Sequence, residues 1–444
     1  MSDDKTIYAP ATAPGRAGLA ILRLSGSKAG WALERLTGRV PPPARRASLR
    51  RISDPRNGEP IDQGLVTWFP GPASFTGEDM AELSLHGGRA VMAAVLEALA
   101  ALPDFRLAEP GEFSRRAFLN GKLDLTEAEG LADLVAAETE AQRRLALRQL
   151  GGELGLLYRD WSEELTRALA RLEAAIDFPE EDLPPGLIAS VREQAGRIAG
   201  EIAAHLADEH RGERLREGLS IAILGPPNAG KSSLFNALAK RDAAIVSAVP
   251  GTTRDVLELA LDLGGYPVVL ADTAGLRPTQ DEIEAEGVNR ARRRGQEADL
   301  RLFVLDAERI TEQLPNILTI KKDFDIVIAN KMDLVKGRSP AALPCAVLPL
   351  SVRTGAGMTE LLTRLKAAAA ELMAVGASPV LTRARHRAAV EESLESLRRA
   401  NEIKAPELMA EDLRLALRAL GRITGKVDVD DILDRIFSEF CIGK

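Results

Sequence analysis

Residues Leu219 to Ser233 read LSIAILGPPNAGKSS. An apolar run from Leu219 to Leu224 stops at Gly225. After Pro226, Pro227, Asn228 and Ala229 the chain continues Gly230-Lys231-Ser232-Ser233. Leu234, Phe235 and Leu238 then fall at helical spacing. Strand, glycine-bounded loop and helix in this order are the context that the G-x-x-x-x-G-K-S spacing requires. The glycines let backbone N–H groups curl around phosphate oxygens, and the helix N-terminus adds the positive end of its dipole. Lys231 is placed to reach β- and γ-phosphates, and the Ser232 hydroxyl to ligate Mg²⁺. A glycine turn ahead of a helix is the bland alternative, and the strand and helix on either side weigh against it.

The residues that follow extend the reading. Pro250-Gly251-Thr252-Thr253-Arg254-Asp255 offers a threonine, Thr253, that can close over a γ-phosphate and give Mg²⁺ a second ligand. Val256 to Leu261 and Val268 to Ala271 read as strands, the second running into Asp272-Thr273-Ala274-Gly275. An aspartate at a strand end can hold Mg²⁺ through water, and the glycine N–H can sense a γ-phosphate. Leu300 to Asp306 is a buried strand, and Asp325 to Ala329 another, ending in Asn330-Lys331-Met332-Asp333. The Asp333 carboxylate can accept two N–H donors from a guanine edge, a pair that adenine lacks, so this element selects GTP over ATP. Ala346 to Leu350 leads into Ser351-Val352-Arg353, a loop placed to cap the base. Each motif alone is weak. In this order, each at a strand end, they predict a doubly wound, mostly parallel α/β sheet with ligand loops at its carboxyl edge. The set resembles the Ras-like G domain of translation-factor-related GTPases. One departure is Ser351-Val352-Arg353, where that family usually has serine, alanine, lysine.

The chain has 444 residues, room for two or three domains, and a net charge of −7. The whole molecule is therefore no polyanion binder, and RNA contact would have to use local patches. Arg45, Arg46, Arg50 and Arg51 form one candidate and Arg292 to Arg294 another; for each patch alone a solvated charged face is the favoured reading. Two unpaired-looking cysteines, Cys345 and Cys441, fit a reducing compartment. No stretch is long and apolar enough to span a bilayer, so a soluble, cytoplasmic protein is expected, without membrane contact.

Around the nucleotide region, residues 217–376, the composition changes. Residues 1–120 alternate short strands (Thr6 to Ala9, Leu19 to Leu24, Leu65 to Phe69, Ala81 to Leu85) with a helix from Val91 to Leu102, a compact α+β domain. Arg23, Glu82 and His86 lie at its strand ends and turns, and composition alone makes them structural. Residues 121–216 are helical, with Leu154, Leu157, Trp161, Leu165, Leu169, Leu172 and Ile176 forming one apolar stripe. Ile188, Val191, Ile198, Ile202 and Leu206 begin another helix, and Arg211 to Gly218 reads as a charged linker. Residues 377–444 return to helix and are expected to pack on 121–216, giving one helical domain interrupted by the nucleotide domain. The end, Phe440-Cys441-Ile442-Gly443-Lys444, fits prenylation poorly because of its final lysine, and a frayed tail is the plain reading.

Joined together, LRLSG, SFTGED, NGKLDLTEAEG, GPPNAGKSS, PGTTRD, DTAGLR, NKMD and the terminal CIGK resemble the MnmE (TrmE) family of tRNA-modification GTPases from end to end. The resemblance implies a homodimer made by a folate-binding-like N-terminal domain. It implies a flavoprotein partner, MnmG or GidA, in a heterotetramer that carries the FAD. Together these would add a carboxymethylaminomethyl or aminomethyl group to carbon 5 of the wobble uridine of certain tRNAs, from a tetrahydrofolate derivative. By motif position Arg23, Glu82 and Lys122 would contact the folate, with Lys444 nearby, and Cys441 would take part in the modification chemistry. The G domain would use K⁺ in place of an arginine finger. Asn228 and the loop Ser247-Ala248-Val249-Pro250-Gly251-Thr252-Thr253 would surround the ion, with Ser247, Val249 and Thr252 as further ligands. Pro250 departs from the family's small residue. Glu284, or else Glu282, would position the attacking water. The competing expectation is a ribosome-assembly or signalling GTPase switch, which leaves residues 1–120 and CIGK without a role and predicts no folate binding.

Overall fold

The computed structural model describes residues 4–178, 186–240, 258–272, 296–335, 343–427, 430–438, 440 and 442–443. The chain divides into two compact units: Met1–Ala132 with Gln149–Arg167 and Arg414–Lys444, and Asp133–Arg148 with Ala168–Leu413.

The first unit is built on six strands: β1 (Thr6–Pro10), β2 (Ala17–Ser25), β3 (Ser48–Ser53), β4 (Pro60–Phe69), β5 (Met80–Gly87) and β6 (Phe105–Leu107). Their order is β3-β4-β5-β2-β1-β6, antiparallel except for β1 and β6. From Ala20 onward β2 alternates buried and half-buried residues, the period-2 pattern of a sheet with one covered face. Leu22, Leu24, Leu83 and Leu85 pack on the helices Ala29–Thr37 and Arg89–Ala100 through Leu33, Leu36, Val95 and Leu99. Ile7, Ala9, Met80 and Phe113 gather in a separate small core.

Arg50 and Arg51, from one of the candidate RNA patches, prove to lie on β3, an outer strand that among the described residues pairs only with β4. A charged sequence is a common protection for a sheet edge, which explains both the arginines and why RRASLRR does not look like a strand. The C-terminal helix Asp430–Ser438 closes on the same unit: Leu433, Ile436, Phe437 and Phe440 pack against Leu125, Ala128 and Phe118. Gly111 sits against it so closely that a Cβ there would lie 2.4 Å from the Phe437 carbonyl oxygen.

The second unit holds a six-stranded sheet, β7 (Leu219–Leu224), β8 (Glu258–Asp262), β9 (Pro267–Asp272), β10 (Leu300–Asp306), β11 (Ile326–Asn330) and β12 (Val347–Pro349). The order is β12-β11-β10-β7-β9-β8, parallel throughout except for the outer hairpin strand β8. β11 is buried along its whole length, and so is β10 up to its last residue, as strands covered on both faces must be. Leu234, Leu238, Leu361 and Leu365, from the helices Lys231–Ala239 and Met358–Leu372, join Ile221, Leu302 and Ile328 in one core. Phe303, Leu305, Val327 and Leu314 form another.

Arg301 and Asp325 stitch β10 to the start of β11. Arg301 Nε lies 3.0 Å from Asp325 Oδ2, and Arg301's own backbone N–H donates to Asp325 Oδ1 at 3.0 Å.

Helix Leu187–Leu206 pairs with helix Ala384–Glu402. Arg192 donates to the carbonyls of Ala400, at 3.1 Å, Asn401, and Ile403, at 2.7 Å. A cation on the last carbonyls of a helix satisfies acceptors that have no partner within it and complements the dipole. The apolar stripe on residues 154–176 is one helix, Glu153–Asp177. The expected charged linker is instead a helix, Arg211–Glu217. Leu215 is its buried contact, and Arg214 and Glu213 are fixed by Asp299 at 2.6 Å and Arg387 at 3.1 Å. Ion pairs of this kind organise a short polar helix that apolar periodicity cannot reveal.

Candidate functional site

The loop after β7 is shaped by two glycines. Gly225 has φ of +146° and Gly230 of +100°. A Cβ on Gly225 would lie 2.1 Å from the Val304 carbonyl, and one on Gly230 2.1 Å from Asn330 Nδ2, so neither position tolerates a side chain. Asn228 also takes a left-handed backbone, φ of +60°, which asparagine adopts more readily than most residues. Ala229 is buried. Ser232 and Ser233 are exposed in the first turn of helix Lys231–Ala239, where free N–H groups and the dipole favour an anion. Lys231 Nζ donates back to the carbonyls of Gly225, at 2.9 Å, and Pro226, at 3.0 Å, which arches its ammonium over the loop.

Parallel pairing brings the other strand ends alongside. Ile223 of β7 registers with Asp272, the last residue of β9. Asp306 at the end of β10 registers with Asn330 at the end of β11. Asn330 is the brace of the region: Nδ2 donates to the Ala229 carbonyl at 2.8 Å, and Oδ1 accepts from Val352 N–H at 3.2 Å. One buried amide thus ties the phosphate loop to the loop after β12. Lys331, at φ of +66°, forms an ion pair with Asp306 at 2.7 Å.

Asp333 receives the Ser351 hydroxyl at 2.6 Å and Arg353 Nη2 at 2.6 Å, one on each carboxylate oxygen. The Ser351 hydrogen bond, helped by the Arg353 cation, holds the Asp333 carboxyl below the usual carboxylate range despite some desolvation. A carboxylate kept ionised is what a pair of N–H donors on a base requires.

The sheet therefore gathers Asn228, Ala229, Gly230, Lys231, Ser232, Ser233, Asn330, Lys331, Asp333, Ser351, Val352 and Arg353 around the ends of β7, β11 and β12. Ser247 to Thr253, Thr273, Ala274, Gly275, Glu282, Glu284 and Arg292 to Arg294 lie outside the described residues, and for Asp272 only the backbone is described. Asp306 escaped sequence reasoning; its available signal was an aspartate closing the apolar run Leu300 to Leu305.

A second constellation lies in the first unit. Arg23 on β2 and Glu82 on β5 are directly opposed in register. Arg23 donates to Glu82 Oε1 through Nε, at 3.0 Å, and Nη2, at 2.8 Å. Its guanidinium lies 5.8 Å from the ring centres of both Phe75 and Phe113. Arg23 Nη1 donates to the Gly443 carbonyl at 3.3 Å. Gly443, at φ of +98°, is pressed against the Pro10 carbonyl, and Ile442 bridges Pro110. The described tail residues are thus pinned against the first unit, by one isolated bridge and by the Arg23 contact, and not frayed.

Lys122 is exposed, and its ammonium donates to the Pro72 carbonyl at 3.0 Å. His86 is turned to Asp62, with Nδ1 at 2.8 Å from Oδ1. Phe75 and Phe113, which sequence reasoning did not single out, supply the flat apolar walls beside Arg23. Cys441 and Lys444 lie outside the described residues. Among the described residues no group of three or more His, Cys, Asp or Glu could hold a metal ion, and no helix is long and apolar enough to cross a membrane.

A parallel sheet carrying a phosphate-cradling loop, an amide brace and a poised carboxylate at its carboxyl edge defines a phosphate-loop nucleoside triphosphatase of the G-domain type. The family model described as GTP-binding protein TrmE N-terminus matches residues 6–122, and that described as MnmE helical domain matches 125–441. A tRNA modification GTPase MnmE of Rhodospirillum rubrum is 55% identical over 452 residues, covering 99% of each chain. One from Paramagnetospirillum magneticum is 55% identical over 441 residues, covering 99% of this chain and 100% of its own. The 5-taurinomethyluridine-[tRNA] synthase subunit GTPB3, mitochondrial, of Danio rerio is 49% identical over 469 residues, covering 99% and 93%. The chain belongs to the MnmE family, and it is a GTPase that takes part in tRNA modification.

Proposed function

We propose that this chain is a K⁺-activated GTPase that works as a homodimer with a flavoprotein partner of the MnmG (GidA) type in the cytoplasm. The pair adds a carboxymethylaminomethyl or aminomethyl group to carbon 5 of the wobble uridine of certain tRNAs, with a tetrahydrofolate derivative as one-carbon donor. FAD belongs to the partner. The observation that carries this reading is the seating of the tail: the Gly443 carbonyl rests on Arg23, beside Glu82 and two phenylalanine rings. A GTPase switch has no use for that arrangement. A flat heterocycle with N–H donors does: the half-buried Phe75 can pack on its face while the buried Phe113 backs the Arg23 guanidinium, Glu82 accepts from its edge, and Arg23 takes an anionic or carbonyl group. Lys122 and Lys444 would add cationic contacts, and Cys441 would act once its thiolate is accessible. The domains assigned to these roles are 1–120 for dimerisation and folate, 217–376 for GTP, and 121–216 with 377–444 as the helical domain.

In the nucleotide domain, Lys231 and the loop N–H groups bind the phosphates, Asp333 orients the guanine, and Glu284 positions water. The exposed Ser232 hydroxyl at the helix start fits a Mg²⁺ ligand, with Thr253 as the second. K⁺ supplies positive charge where hydrolysis accumulates negative charge between β- and γ-phosphates. The left-handed Asn228 presents its side chain from the bend of the loop, a placement that suits a cation ligand as well as a turn cap.

Mass analysis of wobble nucleosides from cells lacking the protein is expected to show loss of the 5-substituent. Unchanged nucleosides would leave GTP hydrolysis without a modification role. At matched ionic strength, hydrolysis is expected to be fast in KCl and slow in NaCl. Asn228→Ala should abolish the difference while nucleotide affinity is largely retained. Equal rates in the two salts would remove K⁺ from the mechanism.

A further inference from the structure

We infer that Arg353 is a built-in competitor of the guanine base, and that it must leave Asp333 before guanine can bind. The inference rests on Asp333 being the base acceptor and adds a gate to that role. The two carboxylate oxygens are engaged differently. Oδ1 accepts from Ser351, which is buried and held in a loop that Asn330 fixes through Val352 N–H. Oδ2 pairs with Arg353 Nη2 at 2.6 Å, from a side chain that is 73% exposed while Asp333 is 12% exposed. The hydroxyl therefore comes from the protein side and the guanidinium from the solvent side, the side that faces an arriving base.

The geometry of the two ligands is also alike. A guanidinium presents coplanar N–H donors to a carboxylate, as does the N1–H and N2–H edge of guanine. A carboxylate oxygen has lone pairs enough for Ser351 and a base together, so Ser351 can stay. Oδ2 has a lone pair to spare as well, so the conflict with Arg353 is one of space: its guanidinium lies 2.6 Å from Oδ2 on the carboxylate's solvent side, where the base edge must come. The site is thus divided between a closed form, paired to Arg353, and an open form that binds guanine. The apparent affinity is lowered by the fraction that is open. An exposed ion pair is weak and screened by salt, so the closed form lowers affinity only about twofold to fivefold. That range suits a gate, since stronger pairing would block the site.

The test uses the full-length protein, fluorescent GDP and stopped-flow mixing. Arg353→Ala is expected to bind about twofold to fivefold faster and tighter than the unaltered protein. Raising NaCl should bring the ratio of the two rates toward one, because screening opens the unaltered site. Removing a cation weakens the attraction of an anionic nucleotide, so a faster variant runs against the trivial effect. An unchanged or slower Arg353→Ala overturns the inference and makes Arg353 a passive surface group or a clamp on the base. Failure of the unaltered protein to bind guanine nucleotides would remove the assignment of Asp333 itself, a separate outcome.

Discussion

Lys231→Ala is expected to lower the rate of GTP hydrolysis by about 10²–10³-fold, the range seen when one preorganised donor to developing charge is removed. Two facts set the size. Lys231 opens the helix that follows the loop, and its ammonium is held over the loop by the Gly225 and Pro226 carbonyls at 2.9 and 3.0 Å. Its charge is therefore in place before nucleotide arrives, and little reorganisation is needed as γ-phosphate charge builds. Single-turnover hydrolysis at saturating GTP, beside equilibrium binding, separates the rate from affinity. A variant retaining more than about a tenth of the rate would show that Lys231 is a loop strut and not a phosphate ligand. Thermal unfolding should change little, because Gly225 and Pro226 are not fully buried and water can replace the lost ammonium.

Asp325→Ala should destabilise the nucleotide unit by about 3–5 kcal/mol, the loss expected when one partner of a buried ion pair is removed. Arg301 and Asp325 side chains are 7% and 1% exposed. Asp325 also accepts the backbone N–H groups of Arg301, at 3.0 Å, and Lys322, at 2.6 Å, and Arg301 Nη2 donates to the Ile320 carbonyl at 2.5 Å. Removing the carboxylate strands a buried cation and two N–H groups at once, between two central parallel strands. Denaturant unfolding followed by fluorescence or circular dichroism measures the change. A loss below about 1 kcal/mol would mean that water reaches the pair. Asp325→Asn, which keeps the shape and some hydrogen bonds, should lose less.

The nucleotide unit was legible because its central strands are mostly apolar and its loops carry residues that only this chemistry needs in this order. Gly225 and Gly230 announce backbone that must pass within contact distance of Val304 and Asn330. Other parts were hidden for physical reasons. β3 is charged because it is an edge. Helix Arg211–Glu217 has one buried leucine and is held by ion pairs to residues far along the chain. Asn330 could be recognised as a motif residue, but not as the amide that joins two loops, because its partners are 101 and 22 residues away. The environment of Arg23 needed the fold: Phe75, Glu82, Phe113 and Gly443 meet there only through β2–β5 pairing and the return of the tail.

Pairing of helix Leu187–Leu206 with Ala384–Glu402 has a mechanical consequence. The nucleotide sheet joins this helix pair by two connections, and those connections are sewn to each other. A Cβ on Gly212 would lie 2.2 Å from the Leu381 carbonyl, and Arg387 binds Asp208 at 2.6 Å and Glu213 at 3.1 Å. A body on one tether swings in any direction. A body on a two-stranded stalk resists swinging and yields chiefly by twisting or rocking about the stalk. The nucleotide sheet is therefore expected to move against these helices chiefly by twisting or rocking about the paired connections, and substitutions at Gly212, Arg387 or Asp208 are expected to loosen them.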